Sequence, residues 1–260
     1  MSANLIENDL DSTQSQPLQS TNRYTVSIAT TTIELEKCFA LRYQIFSNEM
    51  GAKINSDRQL DQDRFDPHCT HLMVSDNHSG EVIATSRLLS DEDTVMTGSF
   101  YSETEFDLSN ILNMNGHFIE VGRTCIHKDF RKGAVLALLW QGIARIVALG
   151  EVDYLIGCAS IPLHTGDTYI STVLQHLRTN NFSDPDMRVR PLLPLPELEA
   201  GHSDDVILPA LLKGYLRQGA VICGEPYWDA AFGVADVFVL LDCDKIAARY
   251  MQHFVDRMRA

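Results

Sequence analysis

The segment from Phe118 to Gly150 constrains the fold of this chain more than any other stretch. Residues 118–126 are mostly apolar or β-branched, which predicts a strand. From Gly133 onward, apolar side chains recur at helical spacing, so we predict a helix that ends near Gly150. A strand, a tight turn and a long helix with an apolar face therefore form the unit around which the remaining elements must pack.

The turn between that strand and that helix has the composition of an anion site. Arg131 and Lys132 bring two cations, and Gly133 and Ala134 bring backbone N–H groups at a helix N-terminus. The exposed N–H groups and the helix dipole favour phosphate at such a position. The alternative is that Arg131 and Lys132 are solvated turn residues and that Gly133 only begins the helix.

The rest of the chain alternates between strand-like and helix-like segments. Residues 1–22 are polar and are predicted to be a disordered tail, and residues 23–260 are predicted to form one domain. Short alternating or apolar runs predict strands over residues 23–29, 71–76, 81–89, 152–160, 221–228 and 234–242. Helical spacing predicts helices over residues 32–50, with Thr32 as cap, 168–180, 208–219 and 246–258. The fold class is therefore α/β or mixed α+β.

The composition argues against several classes of protein. A net charge of −14 over 260 residues argues against a general nucleic-acid binder, and it disfavours contact with an anionic membrane surface or an acidic carrier protein. There is no apolar run of about 18 residues and no secretory signal, so a cytoplasmic location is expected. The six cysteines are scattered and form no CxxC pair, which predicts reduced, buried thiols and no metal site.

A series of charged and aromatic residues carries a resemblance to a known family. The series runs Arg42-xxx-Phe46, Asp63-xx-Asp66, Arg87 and Glu120-xx-Arg123. It resembles the motif series of the acyl-homoserine lactone synthases, which are a variant of the GNAT acyltransferase fold. The turn before the long helix also resembles a shortened acyl-CoA signature of that fold. One element departs, because Met50-Gly51-Ala52 stands where those synthases carry a tryptophan, so a homoserine-lactone product is not implied.

Longer blocks resemble the ornithine N-acyltransferases of bacterial ornithine-lipid synthesis, a family often labelled "hemolysin". The blocks are GRTCIHKDFRKGAVLALLWQGIARI, YLIGCASIPL and LLKGYLRQGAVICGEPYWDAAFGVADVFVLL, and the resemblance runs from about Tyr24 to Leu241. It implies a mixed central sheet flanked by helices. It also implies transfer of a long 3-hydroxyacyl chain from acyl carrier protein to the α-amine of ornithine, which gives a lyso-ornithine lipid. The donor would be an acyl-phosphopantetheine, on the carrier protein or on CoA, with no permanently bound cofactor. Peripheral contact with the inner membrane face is expected, because the product is insoluble.

Catalysis is expected at Glu120 and Arg123. Glu120 would be the general base, directly or through a water, which requires burial to raise its pKa. Equally, it could bind the ammonium of the acceptor. On a regular strand the two side chains would face opposite sides unless a bulge near Gly122 realigns them. The alternative is a buried structural Glu–Arg pair.

Residues expected to bind the acceptor are Arg42, Phe46, Asp63, Asp66 and Arg87. The two arginines could hold a carboxylate, or could pair with the aspartates and stabilise a lid. The aspartates could bind the acceptor's amines, or could be part of a solvated acidic loop. Phe46 is as consistent with a core position as with an acyl pocket.

The donor arm is expected to lie against Ile126, Arg131, Lys132, Gly133 and Ala134. Gly133 lacks a side chain and therefore permits close approach. Direct attack of the amine on the thioester is favoured over a covalent intermediate, and Cys125 is expected to be structural.

Other functions stay open at this point. The same fold could acylate a different amino acid, or could use short-chain acetyl-CoA and a small amine. The "hemolysin" label, taken literally, would make the chain a membrane-lytic protein. Against that stand the missing secretion signal, the missing transmembrane run and the presence of both Glu120 and Arg123.

Overall fold

The structure is a computed structural model that describes residues 16–131, 133–199 and 206–244. Strands β1 to β11 span, in chain order, Pro17–Ser20, Tyr24–Ile28, Thr70–Asp76, Val82–Ser90, Phe106–Asp107, Phe118–Ile126, Tyr154–Pro162, Arg190–Pro191, Val221–Ile222, Tyr227–Asp229 and Val234–Asp242. Helices α1 to α6 span Thr32–Tyr43, Thr94–Thr97, Ser109–Leu112, Ala134–Leu149, Asp167–Asn180 and Ala210–Gln218. The chain divides into two compact units, and β6 contributes its first residues to one unit and its last residues to the other.

The first unit contains the chain up to Glu49, Ile54–Ser99 and Gly122–Gly150. In it, strands β1 to β4 form an antiparallel meander. The end of β6 lies beside β4, where Ser86 Oγ and Thr124 Oγ1 are 2.8 Å apart. Helices α1 and α4 pack against this sheet, and their apolar faces supply much of the core of the unit.

The second unit contains Met50–Lys53, Phe100–Val121 and the chain from Glu151 onward. In it, the start of β6 runs parallel to β7, and β7 pairs antiparallel with β11 over its whole length. Strands β9 and β10 also pair antiparallel with β11, and α6 packs on β7 and β11. This sheet is therefore mixed, as the resemblance implied.

Gly157 permits a close approach of two strands in the second unit. A Cβ atom at Gly157 would lie 2.3 Å from the carbonyl oxygen of Val121, so any larger residue would have to push β6 away from β7. Glu120 precedes this contact on β6, and Cys158 follows it on β7. Glycine at this position therefore brings the backbone of the two strands together beside polar residues that are described below.

Several predicted elements are confirmed. The strands over residues 118–126 and 234–242 have the bounds that the apolar runs predicted. Helix α4 begins directly after Gly133 and is followed by Gly150 as its C-cap. Helix α6 begins directly after Pro209 and ends before Gly219, whose left-handed backbone closes the helix.

Other predicted boundaries are wrong. Helix α1 is capped by Thr31 rather than Thr32, because Thr31 and Glu34 form a capping box, and its last turns after residue 43 are π-helical. The predicted strand over 221–228 is split into β9 and β10, because the chain bends at Gly224, where a Cβ atom would lie 2.6 Å from the carbonyl oxygen of Val189.

The predicted tail also differs, since Pro17–Ser20 forms an edge strand whose polar side chains gave no signal of burial. The predicted helix over 246–258 lies outside the described residues, and one domain over 23–260 stays a prediction. No helix of the described part of the chain is long and apolar enough to cross a membrane.

Candidate active site

The first unit contains a cluster of three arginines and three aspartates, which we call the arginine–carboxylate cluster. Its members are Arg42, Arg87, Arg123, Asp61, Asp63 and Asp66. Arg42 lies at the end of α1 and is fully buried. Its Nε donates to Asp61 at 2.7 Å, and its Nη1 and Nη2 donate to the two oxygens of Asp66 at 2.7 and 3.1 Å. This forked geometry is the strongest that a guanidinium forms with carboxylates.

Two more guanidiniums complete the cluster. Arg87 in β4 donates from Nη1 to Asp63 at 2.6 Å and to Asp66 at 2.9 Å. Burial alone would raise the pKa of Asp66, but hydrogen bonds and charge from Arg42, with the charge of Arg87, hold that pKa well below its usual range. Asp66 is therefore ionised, and it is matched by opposite charge in the folded protein.

Arg123 joins the same cluster through an irregular point in β6. Its backbone φ is 50°, a left-handed value that is uncommon for a residue with a side chain. Its Nη2 donates to Asp63 at 3.1 Å, and its Nε lies 3.4 Å from Asp61. The strand is thus irregular next to Gly122, near the place where a bulge was considered.

These contacts show where the predicted acceptor-binding residues lie, and their roles stay predictions. Arg42 and Arg87 pair with Asp63 and Asp66, which is one of the two alternatives, and Asp66 is buried rather than part of a solvated loop. The carboxylate oxygens that were expected to meet the acceptor's amines are largely occupied by guanidiniums. Phe46 is buried in the π-helical turn, and its contact with an acyl chain stays a prediction.

Glu120 lies in the second unit and is bound to a short turn. Its Oε2 accepts the N–H of Tyr101 at 2.7 Å, and its Oε1 accepts the N–H of Ser102 at 2.7 Å and the Ser102 hydroxyl at 2.5 Å. Glu120 is 4% exposed. These three donors fix the orientation of the carboxylate. The hydroxyl of Ser102 also lies 3.3 Å from Cys158 Sγ, which extends this polar network to β7.

A second group of acidic residues lies near this network, and sequence analysis missed it. Glu105, Asp229 and Asp236, which we call the three-carboxylate cluster, each offer one oxygen, and the three oxygens lie within 4.8 Å of one another. All three residues are buried. The available signal was Asp236, a charged residue inside the apolar run of β11. A group of carboxylate oxygens with this spacing can hold a cation, either a hard metal ion or an ammonium.

The pKa of Glu105 reflects these surroundings. Burial is the largest cause of its shift, and the negative charge of Asp236 is the second, with a smaller effect from Asp229. Hydrogen bonds from Cys158 and Tyr101 act in the opposite direction, but the pKa still rises to about 8 from a usual value of 4.5. Glu105 is therefore the carboxyl group here that changes protonation near neutral pH.

The turn that was predicted to hold phosphate has the expected backbone. Gly133 has a φ of 88°, and α4 starts at Ala134 with no cap from the side chain of a described residue on its N-terminal N–H groups. Arg131 is half exposed, and it donates from Nη2 to Glu49 at 2.6 Å and from Nε to the carbonyl oxygen of Ile126 at 2.9 Å. Lys132 lies outside the described residues.

The two cysteines beside the predicted catalytic strand behave as buried thiols. Burial raises the pKa of Cys125 and of Cys158 well above the usual range. A thiol that resists ionisation is a poor nucleophile, because the thiolate is the reactive form. Burial therefore disfavours Cys125 as a nucleophile, and direct transfer stays a prediction.

Comparison with known proteins agrees with this architecture. Residues 41–141 match the family described as "Acetyltransferase (GNAT) domain". The acyl-homoserine lactone synthase LasI has the same fold, with a TM-score of 0.51 and 14% identity over 85% of this chain and 90% of that one. Fold and sequence therefore define an acyltransferase of the GNAT class.

Relatives with higher sequence identity to this chain define the family more narrowly. The chain is 30% identical to the "L-ornithine N(alpha)-acyltransferase" of Brucella abortus (strain 2308) over 88% of both proteins. It is also 30% identical to the protein of the same name from Agrobacterium fabrum (strain C58), over 85% of this chain and 81% of that protein. The chain belongs to the L-ornithine N(alpha)-acyltransferase family.

Proposed function

We propose that this acyltransferase moves a 3-hydroxyacyl chain from acyl carrier protein to the α-amine of L-ornithine and releases a lyso-ornithine lipid. The observation that carries the proposal is the 30% identity to the Brucella protein of that name over 88% of each chain. We further propose that the chain works in the cytoplasm and contacts the inner membrane face peripherally, since the product is insoluble in water.

The chemistry requires a neutral amine and a held thioester. The amine nitrogen attacks the thioester carbonyl and loses one proton, the C–S bond breaks, and the thiolate of the carrier leaves and takes up one proton from water while the amide forms. In this proposal Glu120 accepts the proton that the amine loses, directly or through a water, or else binds the acceptor's ammonium. Its three hydrogen bonds support either role because they fix the position of the carboxylate.

The donor's phosphate is proposed to bind at the start of α4. The uncapped N–H groups after Gly133 and the helix dipole favour an anion there, and Arg131 and Ile126 lie at the same turn. Glu49 already pairs with Arg131, so a phosphate would have to share or replace that partner. Reversing the charge of Arg131 is therefore expected to weaken donor binding, and unchanged donor affinity would place the phosphate elsewhere.

The proposal is tested by lipid extracts from a host that lacks ornithine lipids and expresses this chain. Mass spectrometry is expected to show a new 3-hydroxyacyl-ornithine. An N-acyl conjugate of a different amino acid would show that this amino acid, and not ornithine, is the acceptor. An acetylated amine would show that the donor is a short-chain thioester. No new acylated amine, with folded protein and a supplied carrier protein, would contradict the proposal.

A matched pair of variants tests the role of Glu120. Glu120→Gln is expected to lower turnover strongly, whereas Glu103→Gln, in the same turn, is the control for disturbing that turn because Glu103 also accepts a backbone N–H. Wild-type turnover in folded Glu120→Gln would remove Glu120 from the mechanism.

A further inference from the structure

The three-carboxylate cluster contains one acceptor atom that no described residue satisfies. Glu105 is 3% exposed, and its Oε2 is a buried oxygen without a hydrogen-bond partner among residues 16–131, 133–199 and 206–244. Asp229 Oδ1 is fixed by the N–H groups of Ala231 and Phe232 at 2.9 and 3.0 Å. Asp236 Oδ1 accepts the Ser160 hydroxyl at 2.6 Å. The cluster therefore combines two carboxylates that are held in place with a third that has an unused acceptor.

Burial makes this arrangement costly unless a positive charge or a proton enters it. Three carboxylates whose oxygens lie within 4.8 Å repel one another, and a buried oxygen that lacks a donor loses its hydration. In the protein alone, a proton on Glu105 relieves part of the repulsion, in keeping with a pKa of about 8. A bound cation would take the place of that proton and satisfy the unused oxygen.

We propose that Glu105, Asp229 and Asp236 bind the side-chain ammonium of a diamino-acid acceptor. This inference rests on the proposed function, because an ornithine acceptor carries a second amine that is not acylated. An ammonium has three N–H donors, and the cluster presents three oxygens at a spacing that such a group can span.

The position of the cluster supports this assignment. Glu105 is hydrogen-bonded to Cys158, Cys158 Sγ lies 3.3 Å from Ser102 Oγ, and Ser102 donates to Glu120. The site for the distal amine would thus lie two side chains from the group proposed to act on the α-amine, within the same unit of the protein. Asp63 and Asp66, the earlier candidates, are instead paired with guanidiniums.

The test compares two acceptors that differ only in the distal amine. L-norvaline has the α-amine and carbon chain of L-ornithine but lacks the terminal ammonium. Wild-type protein is expected to prefer ornithine over norvaline by at least about 100-fold in kcat/KM, because a buried acidic site is left without its cation by norvaline. Asp229→Asn and Glu105→Gln are each expected to reduce this preference by tenfold or more.

A matched control is available in the same unit. Asp107→Asn changes a partly exposed carboxylate that pairs with Arg190, and it is expected to keep the wild-type preference. Circular dichroism and thermal unfolding establish that each variant is folded. If both cluster variants are folded and still prefer ornithine as strongly as wild type does, the proposal is overturned.

Binding without donor separates this inference from the proposed function. Ornithine, norvaline, Mg²⁺ and Ca²⁺ are each added to chelator-treated protein, and the shift in Tm is measured. We expect ornithine to raise Tm in wild type and in Asp107→Asn, but not in Asp229→Asn. A Tm rise with a divalent cation alone, lost in Asp229→Asn, would overturn the proposal and make the cluster a metal site. Ornithine binding that needs Asp229, without acylation of ornithine, would contradict the proposed function alone.

The pH dependence of KM is a further test, because a cluster with only a structural role would not change the KM of ornithine relative to that of norvaline. The groups that face Glu105 are the carboxylates of Asp229 and Asp236, the thiol of Cys158, and the phenols of Tyr101 and Tyr227. Because ornithine must displace the proton of Glu105, its KM is expected to fall by up to about tenfold per pH unit between pH 6 and 8, relative to the KM of norvaline. This relative fall should vanish in Glu105→Gln, and its persistence there would contradict the proposal.

Discussion

Each of the two units of this protein contains a cluster of three carboxylates, but the two clusters neutralise their charge in different ways. In the arginine–carboxylate cluster, three guanidiniums meet three aspartates, and the pKa of Asp66 is depressed. In the three-carboxylate cluster, the pKa of Glu105 is raised, and one oxygen of Glu105 has no donor in the part of the chain that the structure describes. Acidic residues with built-in counter-charges stabilise a fold, whereas acidic residues that need an added proton or cation are suited to binding.

The largest difference should appear when one carboxylate of each cluster is made neutral. Asp66→Asn leaves the buried Arg42 and Arg87 short of negative charge and is expected to lower the free energy of unfolding by about 3–5 kcal/mol. Glu105→Gln removes a group that the folded protein keeps protonated at pH 7 while the unfolded chain ionises it, so the substitution is expected to raise the free energy of unfolding by on the order of a few kcal/mol. Urea unfolding at pH 7 measures both. Equal losses in the two variants would remove the distinction between the clusters.

The second largest difference between the clusters is expected in how the free energy of unfolding depends on pH. The folded protein holds the proton of Glu105 up to about pH 8, whereas the unfolded chain releases it near 4.5. The stabilisation from this proton is therefore complete below pH 4.5 and is lost as the pH rises to about 8. Relative to Glu105→Gln, wild type should lose on the order of a few kcal/mol across this window. Asp66 acts in the opposite sense, because its depressed pKa makes its contribution disappear only as the pH falls below 3.8. Parallel stability curves for wild type and Glu105→Gln would contradict this expectation.

A smaller effect is expected at Ser102, which links Glu120 to Cys158. Ser102→Ala removes the hydroxyl donor and leaves Glu120 with two backbone N–H groups. We expect a loss of about 1–2 kcal/mol in the free energy of unfolding, together with lower turnover. Chemical unfolding and the acyl-transfer assay measure the two effects. Unchanged values of both would show that this hydroxyl neither supports Glu120 nor connects it to the neighbouring strand.

The smallest effect is expected for an ion pair that is exposed to water. Arg58 and Glu36 are 2.6 Å apart, but their side chains are 70% and 43% exposed. Arg58→Ala should change the free energy of unfolding by less than about 0.5 kcal/mol, because solvent screens such pairs. A loss as large as that of Asp66→Asn would show that burial is not what gives the arginine–carboxylate cluster its strength.

Much of the fold could be predicted because its signals are local. The bounds of β11 follow from its apolar run, and the bounds of α4 follow from the glycines on either side of it, Gly133 and Gly150. The split between β9 and β10 could not be predicted, because it depends on contact between Gly224 and the distant carbonyl oxygen of Val189. Strand β1 was missed because a polar edge strand is specified mainly by backbone pairing.

The residues of the candidate site could be predicted only where they belong to the motif series. The motif series identified five charged residues of the arginine–carboxylate cluster, which are Arg42, Asp63, Asp66, Arg87 and Arg123. Their spacing in the sequence could not show that they form ion pairs with one another. The three-carboxylate cluster was missed because its members are far apart in the chain. Only the sheet, with β10 beside β11, and the approach of Glu105 bring them together.

The most direct measurement is a carbon-13 NMR titration of the side-chain carboxyl groups between pH 4 and 9, with Glu105→Gln and Asp66→Asn used to assign the two signals. We predict that the Glu105 signal titrates with a midpoint near pH 8, while the Asp66 signal stays that of an ionised carboxylate throughout. Added ornithine should move the Glu105 midpoint to lower pH, and norvaline should leave it in place. A Glu105 midpoint near 4.5 would contradict the account, because the two clusters would then not differ in charge compensation.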